Sequence, residues 1–108
     1  MMTPHVLVIG TSTTYVTLIR YRLARTGTVD VQHVRTGDVG LRALRDETRL
    51  VVVDLHLPGE SGLEVVEQLQ GQRPDLPVLL LTTTDERSVI SEAFGRGATD
   101  VLMRGNND

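Results

Sequence analysis

The 108-residue chain has no cysteine and no tryptophan, and aromatic residues make up 3% of it. The absence of cysteine excludes disulfide staples and thiolate metal sites. With so few aromatic rings, aliphatic side chains must supply the core. No apolar run reaches the ~20 residues of a membrane span, and no basic stretch followed by a long apolar region opens the chain. The chain therefore reads as cytoplasmic. The three histidines, His5, His33 and His56, are too scattered in sequence to suggest a metal motif. The formal net charge is −3, which makes the domain a poor candidate for gripping a phosphate backbone by itself. Arg20, Arg22 and Arg25 cluster on one stretch and read as a solvated helix face.

What the chain does have is short aliphatic runs alternating with helical patterns. Hydrophobic residues make up 40%, which suits one globular domain and argues against disorder. His5 to Ile9 reads as a buried strand ending at Gly10, and the hydroxyls of Thr11 to Thr14 offer a cap for a helix running to about Arg25. Val29 to Val34 alternates apolar and polar residues, as an edge strand does. A weaker helix is expected from Thr36 to about Glu47. Leu50 to Val53 gives four consecutive aliphatics before Asp54, the mark of a strand covered on both faces. Pro58-Gly59 reads as a loop. Ser61 and Glu64 have the spacing of a capping box, opening a helix that stops before Pro74. Pro77 to Thr82 is a second doubly buried strand. Thr83 to Glu86 offers another capping box, for a helix ending near Gly95 and Gly97, and Asp100 to Met103 is a last strand. Such alternation predicts an α/β domain: a doubly wound, flavodoxin-like, five-stranded parallel sheet, with strand order 2-1-3-4-5.

In that order the carboxyl ends of strands one, three, four and five lie side by side, where open parallel sheets bind their ligands. Asp54, Thr82 and Arg104 then come within reach of one another. A carboxylate can attack phosphorus to give an acyl phosphate. A hydroxyl and a cation beside it can hold the phosphoryl oxygens and balance their charge.

The segment from Val53 to Gly62, with its D-x-x-L-P-x-x-x-G pattern starting at Asp54, resembles the response-regulator receiver domains. The Gly97-Ala98-Thr99-Asp100 box and the element spacing match as well. The resemblance covers His5 to Arg104. It implies that Asp54 is the phosphoacceptor, Thr82 the switch hydroxyl, and the backbone carbonyl of His56 a metal ligand. It implies partners too: a histidine kinase or phosphotransfer protein, and an output domain contacted through the surface from about Asp85 to Met103. No membrane and no nucleic acid is expected to bind this domain directly.

Several positions depart from the family pattern. Gly10 and Thr11 stand where relatives carry the acidic pair that holds Mg²⁺, so no Mg²⁺ is expected unless the pocket works despite them. Arg104 replaces a lysine and could form a forked pair with Asp54. Gly105 replaces a proline, so the usual cis peptide there is expected to be lost. Thr83 should narrow access to Asp54, and Val101 replaces an aromatic switch residue on the output face. Loss of two carboxylates beside a retained cation predicts a lowered Asp54 pKa. The fifth helix of the family is expected to be missing, with the domain of residues 1–108 truncated after strand five, which would leave a bare sheet face for a partner or a second copy. The expected function is therefore an atypical receiver acting through protein contacts, with weak or absent Mg²⁺-dependent phosphorylation. The alternatives are a fully functional phosphoaccepting receiver and a small nucleotide- or anion-binding α/β domain built on the Gly10 to Thr14 turn. An enzyme of the haloacid-dehalogenase type would want an aspartate where His56 stands.

Overall fold

A computed structural model describes residues 3–104. In chain order it contains β1 (His5–Ile9), α1 (Thr13–Ala24), β2 (Asp30–Val34), α2 (Gly37–Arg42), β3 (Thr48–Asp54), β4 (His56–Leu57), β5 (Glu60–Ser61), α3 (Gly62–Gln72), β6 (Val78–Thr82), α4 (Arg87–Gly95) and β7 (Asp100–Met103). Five strands form one parallel sheet in the order β2-β1-β3-β6-β7. With the short β4 and β5 set aside, this is the expected 2-1-3-4-5.

The strand sequences explain the layering. Successive side chains leave opposite faces of a strand, so an aliphatic run buries one set on each side. Leu7, Ile9, Val51, Val53, Val78 and Leu80 pack against Val65, Val66 and Leu69 of α3 and Ala93 of α4, with Leu41 of α2 at the margin. On the opposite face Val6, Val8, Val52 and Leu81 meet Val16, Ile19 and Leu23 of α1. Burial of each such Val or Leu contributes roughly 1.5–3 kcal/mol. Outermost in the sheet, β2 is mostly half-buried or exposed, as its alternation predicts.

Local signals held less uniformly. Ser12 caps α1, accepting from the Tyr15 N–H at 3.2 Å. Ser61 accepts from the Leu63 N–H, but Glu64 makes no return bond, so the first capping box is only half formed. The second does not form: α4 starts at Arg87, and Glu86 at its N-cap makes no side-chain bond. The hydroxyls there serve the loop, Thr82 Oγ accepting from the Thr84 N–H at 3.0 Å and Thr84 Oγ from the Glu86 N–H at 3.2 Å. The second helix stops at Arg42, short of the expected Glu47, and β3 begins earlier, at Thr48. Buried Thr48 explains the shift. Its hydroxyl accepts from the Arg45 N–H and contacts His5 Nδ1 at 2.6 Å, drawing the intervening residues into the sheet's lower rim.

Pro58-Gly59 is the turn of a small antiparallel hairpin, His56 and Leu57 facing Ser61 and Glu60. Gly59 supplies the positive φ, 72°, that the turn's second position needs. This hairpin brings Gly62 directly onto β3, where a Cβ would overlap the carbonyl oxygen of Asp54. The glycine that closes the D-x-x-L-P-x-x-x-G pattern is thus dictated by a close backbone approach next to the carboxylate. The expectations for Gly105 and for the segment after strand five lie outside the described residues. Among the described residues no helix is long and apolar enough to cross a membrane.

Candidate functional site

Asp54 ends β3, Thr82 ends β6 and Arg104 follows β7. Register places these ends together: Asp54 lies opposite Leu81, and Thr82 opposite Met103. The Arg104 N–H donates to the Thr82 carbonyl at 2.8 Å, extending the β6–β7 ladder by one residue and aiming the arginine back over the sheet rim. Its guanidinium reaches Asp54, Nη1 lying 3.6 Å from Oδ2, with the two side chains only 19% and 14% exposed. Arg104 thus touches both of the other residues singled out from sequence, Asp54 through its guanidinium and Thr82 through its backbone N–H.

The pairing is not the expected fork. One guanidinium nitrogen approaches one carboxylate oxygen at a distance beyond a hydrogen bond, and Arg104 Nε is buried without a partner. The lowered Asp54 pKa also fails. Burial pushes the carboxyl up, and this outweighs the Arg104 charge, the backbone amides of His56 and Leu55 and the His56 imidazole, all of which favour the ionised form. Counting only neighbouring charges omitted the cost of removing the carboxylate from water.

Gly10 lies directly against Asp54. A Cβ there would stand 3.1 Å from Asp54 Cβ and 3.4 Å from Oδ2. Its carbonyl is held by His33, whose Nε2 lies at 2.6 Å, and its N–H donates to the Val34 carbonyl at 2.9 Å. Thr11 is exposed. Thr83 is exposed as well, and the Thr82 hydroxyl is bound to the following loop rather than to Asp54. Val101 is half-buried against the α3 side of the sheet, and His56 lies in the hairpin with its side chain in solvent.

Two residues here escaped sequence reasoning. His33 was set aside as part of a scattered trio, yet its place at the end of the edge strand lets it clamp the loop carrying Gly10. Tyr15, in the first turn of α1, puts its ring 5.8 Å from the Arg104 guanidinium carbon. An aromatic so near a strand end, in a chain with only three, was the available signal.

The response regulator receiver domain model matches residues 6–107. The chain belongs to that family. Receiver domains are the signal-receiving modules of two-component response regulators. Among curated proteins, this one is 37% identical over 104 residues to the alkaline phosphatase synthesis transcriptional regulatory protein PhoP of Bacillus subtilis, covering 95% of the chain and 43% of that protein. It is 30% identical over 77 residues to the regulatory protein LuxO of Vibrio cholerae, covering 70% of the chain and 17% of LuxO. The chain thus spans less than half the length of either relative. Among solved structures, the beryllofluoride-activated DrrB receiver domain superposes with a TM-score of 0.83 at 25% identity, covering 95% of this chain and 86% of that one. The chemotaxis protein CheY4 of Vibrio cholerae shares the fold, with a TM-score of 0.82 at 24% identity over 95% of this chain and 88% of that one. The anion-binding alternative is not favoured.

Proposed function

We propose that this receiver domain is an atypical one, in which Asp54 is neutralised by Arg104 rather than by a divalent cation. Signalling then runs through contacts with other proteins, with weak or absent Mg²⁺-dependent phosphorylation. The observation that carries this reading is the pairing of Asp54 with Arg104 on one side and with the bare backbone of Gly10 on the other.

The donor set fits Mg²⁺ poorly. That ion takes six oxygens in a near-ideal octahedron and surrenders its water reluctantly. Asp54 is one carboxylate, the His56 carbonyl a second donor by family resemblance, and Gly10 and Thr11 bring no acid. Among the described residues no three acidic, histidine or cysteine side chains gather. A pocket holding one half-buried carboxylate and one half-buried cation is already near electrical balance. A divalent cation would bring net positive charge into it beside the guanidinium.

The partners that fit are those of the family: a histidine kinase or phosphotransfer protein on the input side and an output domain on the other, in the cytoplasm. The test is incubation with phosphoramidate or acetyl phosphate, with and without Mg²⁺, read by intact mass. The proposal expects no stoichiometric gain of a phosphoryl group in either case. Full Mg²⁺-dependent addition, abolished in D54N, would establish an ordinary phosphoaccepting receiver instead.

A further inference from the structure

We infer that Tyr15 is the positioning residue of this site: its ring face holds the Arg104 guanidinium beside Asp54. The inference rests on the Asp54–Arg104 pair being the functional centre.

Arg104 is a long, flexible side chain. Its backbone is fixed by the bond to Thr82, but among the described residues the guanidinium makes no hydrogen bond. Nη1 stands 3.6 Å from Asp54 Oδ2 and Nε is buried unpaired. Charge attraction at that distance is without the directionality of a hydrogen bond. A buried donor without an acceptor is costly and should drive the side chain out to water unless another contact retains it. The Tyr15 ring supplies that contact. Its centroid lies 5.8 Å from the guanidinium carbon, within the range where the negative ring face attracts a cation, and arginine stacks on such faces well.

Tyr15 is itself anchored. The Ser12 hydroxyl accepts its N–H, and its ring packs with Val6, Val8, Val16, Val52 and Leu81. It also lines, with Gly10, Ser12 and Asp54, a cavity of about 10 Å³. That space is at the lower limit for one water molecule. The ring therefore does two things at once. It sets the cation, and it walls the small space that Gly10, Ser12 and Asp54 line on the β1–α1 side of the carboxylate. One aromatic in α1 thus links the first helix to the carboxylate through Arg104.

The test is solution NMR of the intact chain, which reads Arg104 whether or not Asp54 is ever phosphorylated. In wild type the Arg104 Hδ and Hε signals should lie upfield of free arginine, with Overhauser contacts to the Tyr15 ring. Y15F keeps the ring face and should preserve both. Y15L should remove both and speed Hε exchange with water roughly two- to fivefold, while amide shifts in the α3-side core stay in place. If Y15L does not fold, Y15M serves in its place, and the wild-type Overhauser contacts decide independently. Missing contacts in wild type, or Arg104 signals and exchange unchanged in Y15L, would overturn the assignment. A wild-type protein that takes up phosphate with Mg²⁺ would refute the atypical reading above while leaving this measurement to stand by itself.

Discussion

Replacing Arg104 with methionine tests the electrostatics of the site most directly. Methionine keeps much of the aliphatic length and removes the charge. Two unit charges 3.6 Å apart attract by about 1 kcal/mol in bulk water and about 5 kcal/mol at an effective dielectric of 20. With both side chains less than a fifth exposed, the local value should lie between those limits. Burial already raises the Asp54 pKa against the pull of Arg104. Removing the cation leaves burial with weaker opposition, so the titration midpoint must rise further. All of that lost attraction favours the protonated carboxyl, so the R104M midpoint should stand clearly above that of wild type. Carbon-detected NMR of the Asp54 side-chain carboxyl across an acid titration measures it, with R104K as the control that keeps the charge and loses the planar fork. An R104M midpoint equal to or below wild type would refute the reasoning, because Arg104 would then not stabilise the carboxylate.

The same raised pKa fixes a sign for stability. Native Asp54 holds its proton to higher pH than the unfolded chain does, so between the ordinary carboxylate value near 3.9 and the raised native midpoint the folded state binds more protons. The stability of wild type relative to D54N should therefore fall as pH rises through that window, measured by urea unfolding at several pH values; a relative gain would reverse the assignment of burial as the dominant cause. Gly62→Ala forces a methyl group into the Asp54 carbonyl and should cost roughly 1–3 kcal/mol or more by overpacking, read from the urea midpoint. Unchanged stability would show that the hairpin can lift off β3. The double substitution G10D/T11D should create Mg²⁺ affinity measurable by calorimetry where wild type gives flat heats, at some cost in stability because a Cβ at position 10 is tight against Asp54. Equal Mg²⁺ heats in the two proteins would show that the acidic pair is not what governs binding here.

The sequence by itself determined the sheet. Runs such as Leu50 to Val53 and Val78 to Leu81 exclude water from both faces of a strand, and only a parallel sheet covered by helices satisfies both. Strand order followed from handedness and short connections, and strand order brought Asp54, Thr82 and Arg104 to one rim. The Asp54-to-Gly62 pattern was legible because it reflects local backbone geometry, with the hairpin turn at Gly59 and the close approach at Gly62.

What sequence left open was settled by distances that spacing does not encode. The end of α2 was decided by Thr48, whose hydroxyl is shared between Arg45 and a histidine 43 residues away. The failure of the second capping box came from Thr82 and Thr84, whose hydroxyls bind the loop before α4 begins. The direction of the Asp54 pKa depends on how much water the fold removes, a quantity absent from any tally of charges. Tyr15 and His33 entered the site because α1 begins at the Gly10 loop and β2 ends against it. Contacts of that kind join residues from separate elements, and only the packed tertiary structure fixes them, since each depends on the angle at which a helix or strand meets the sheet.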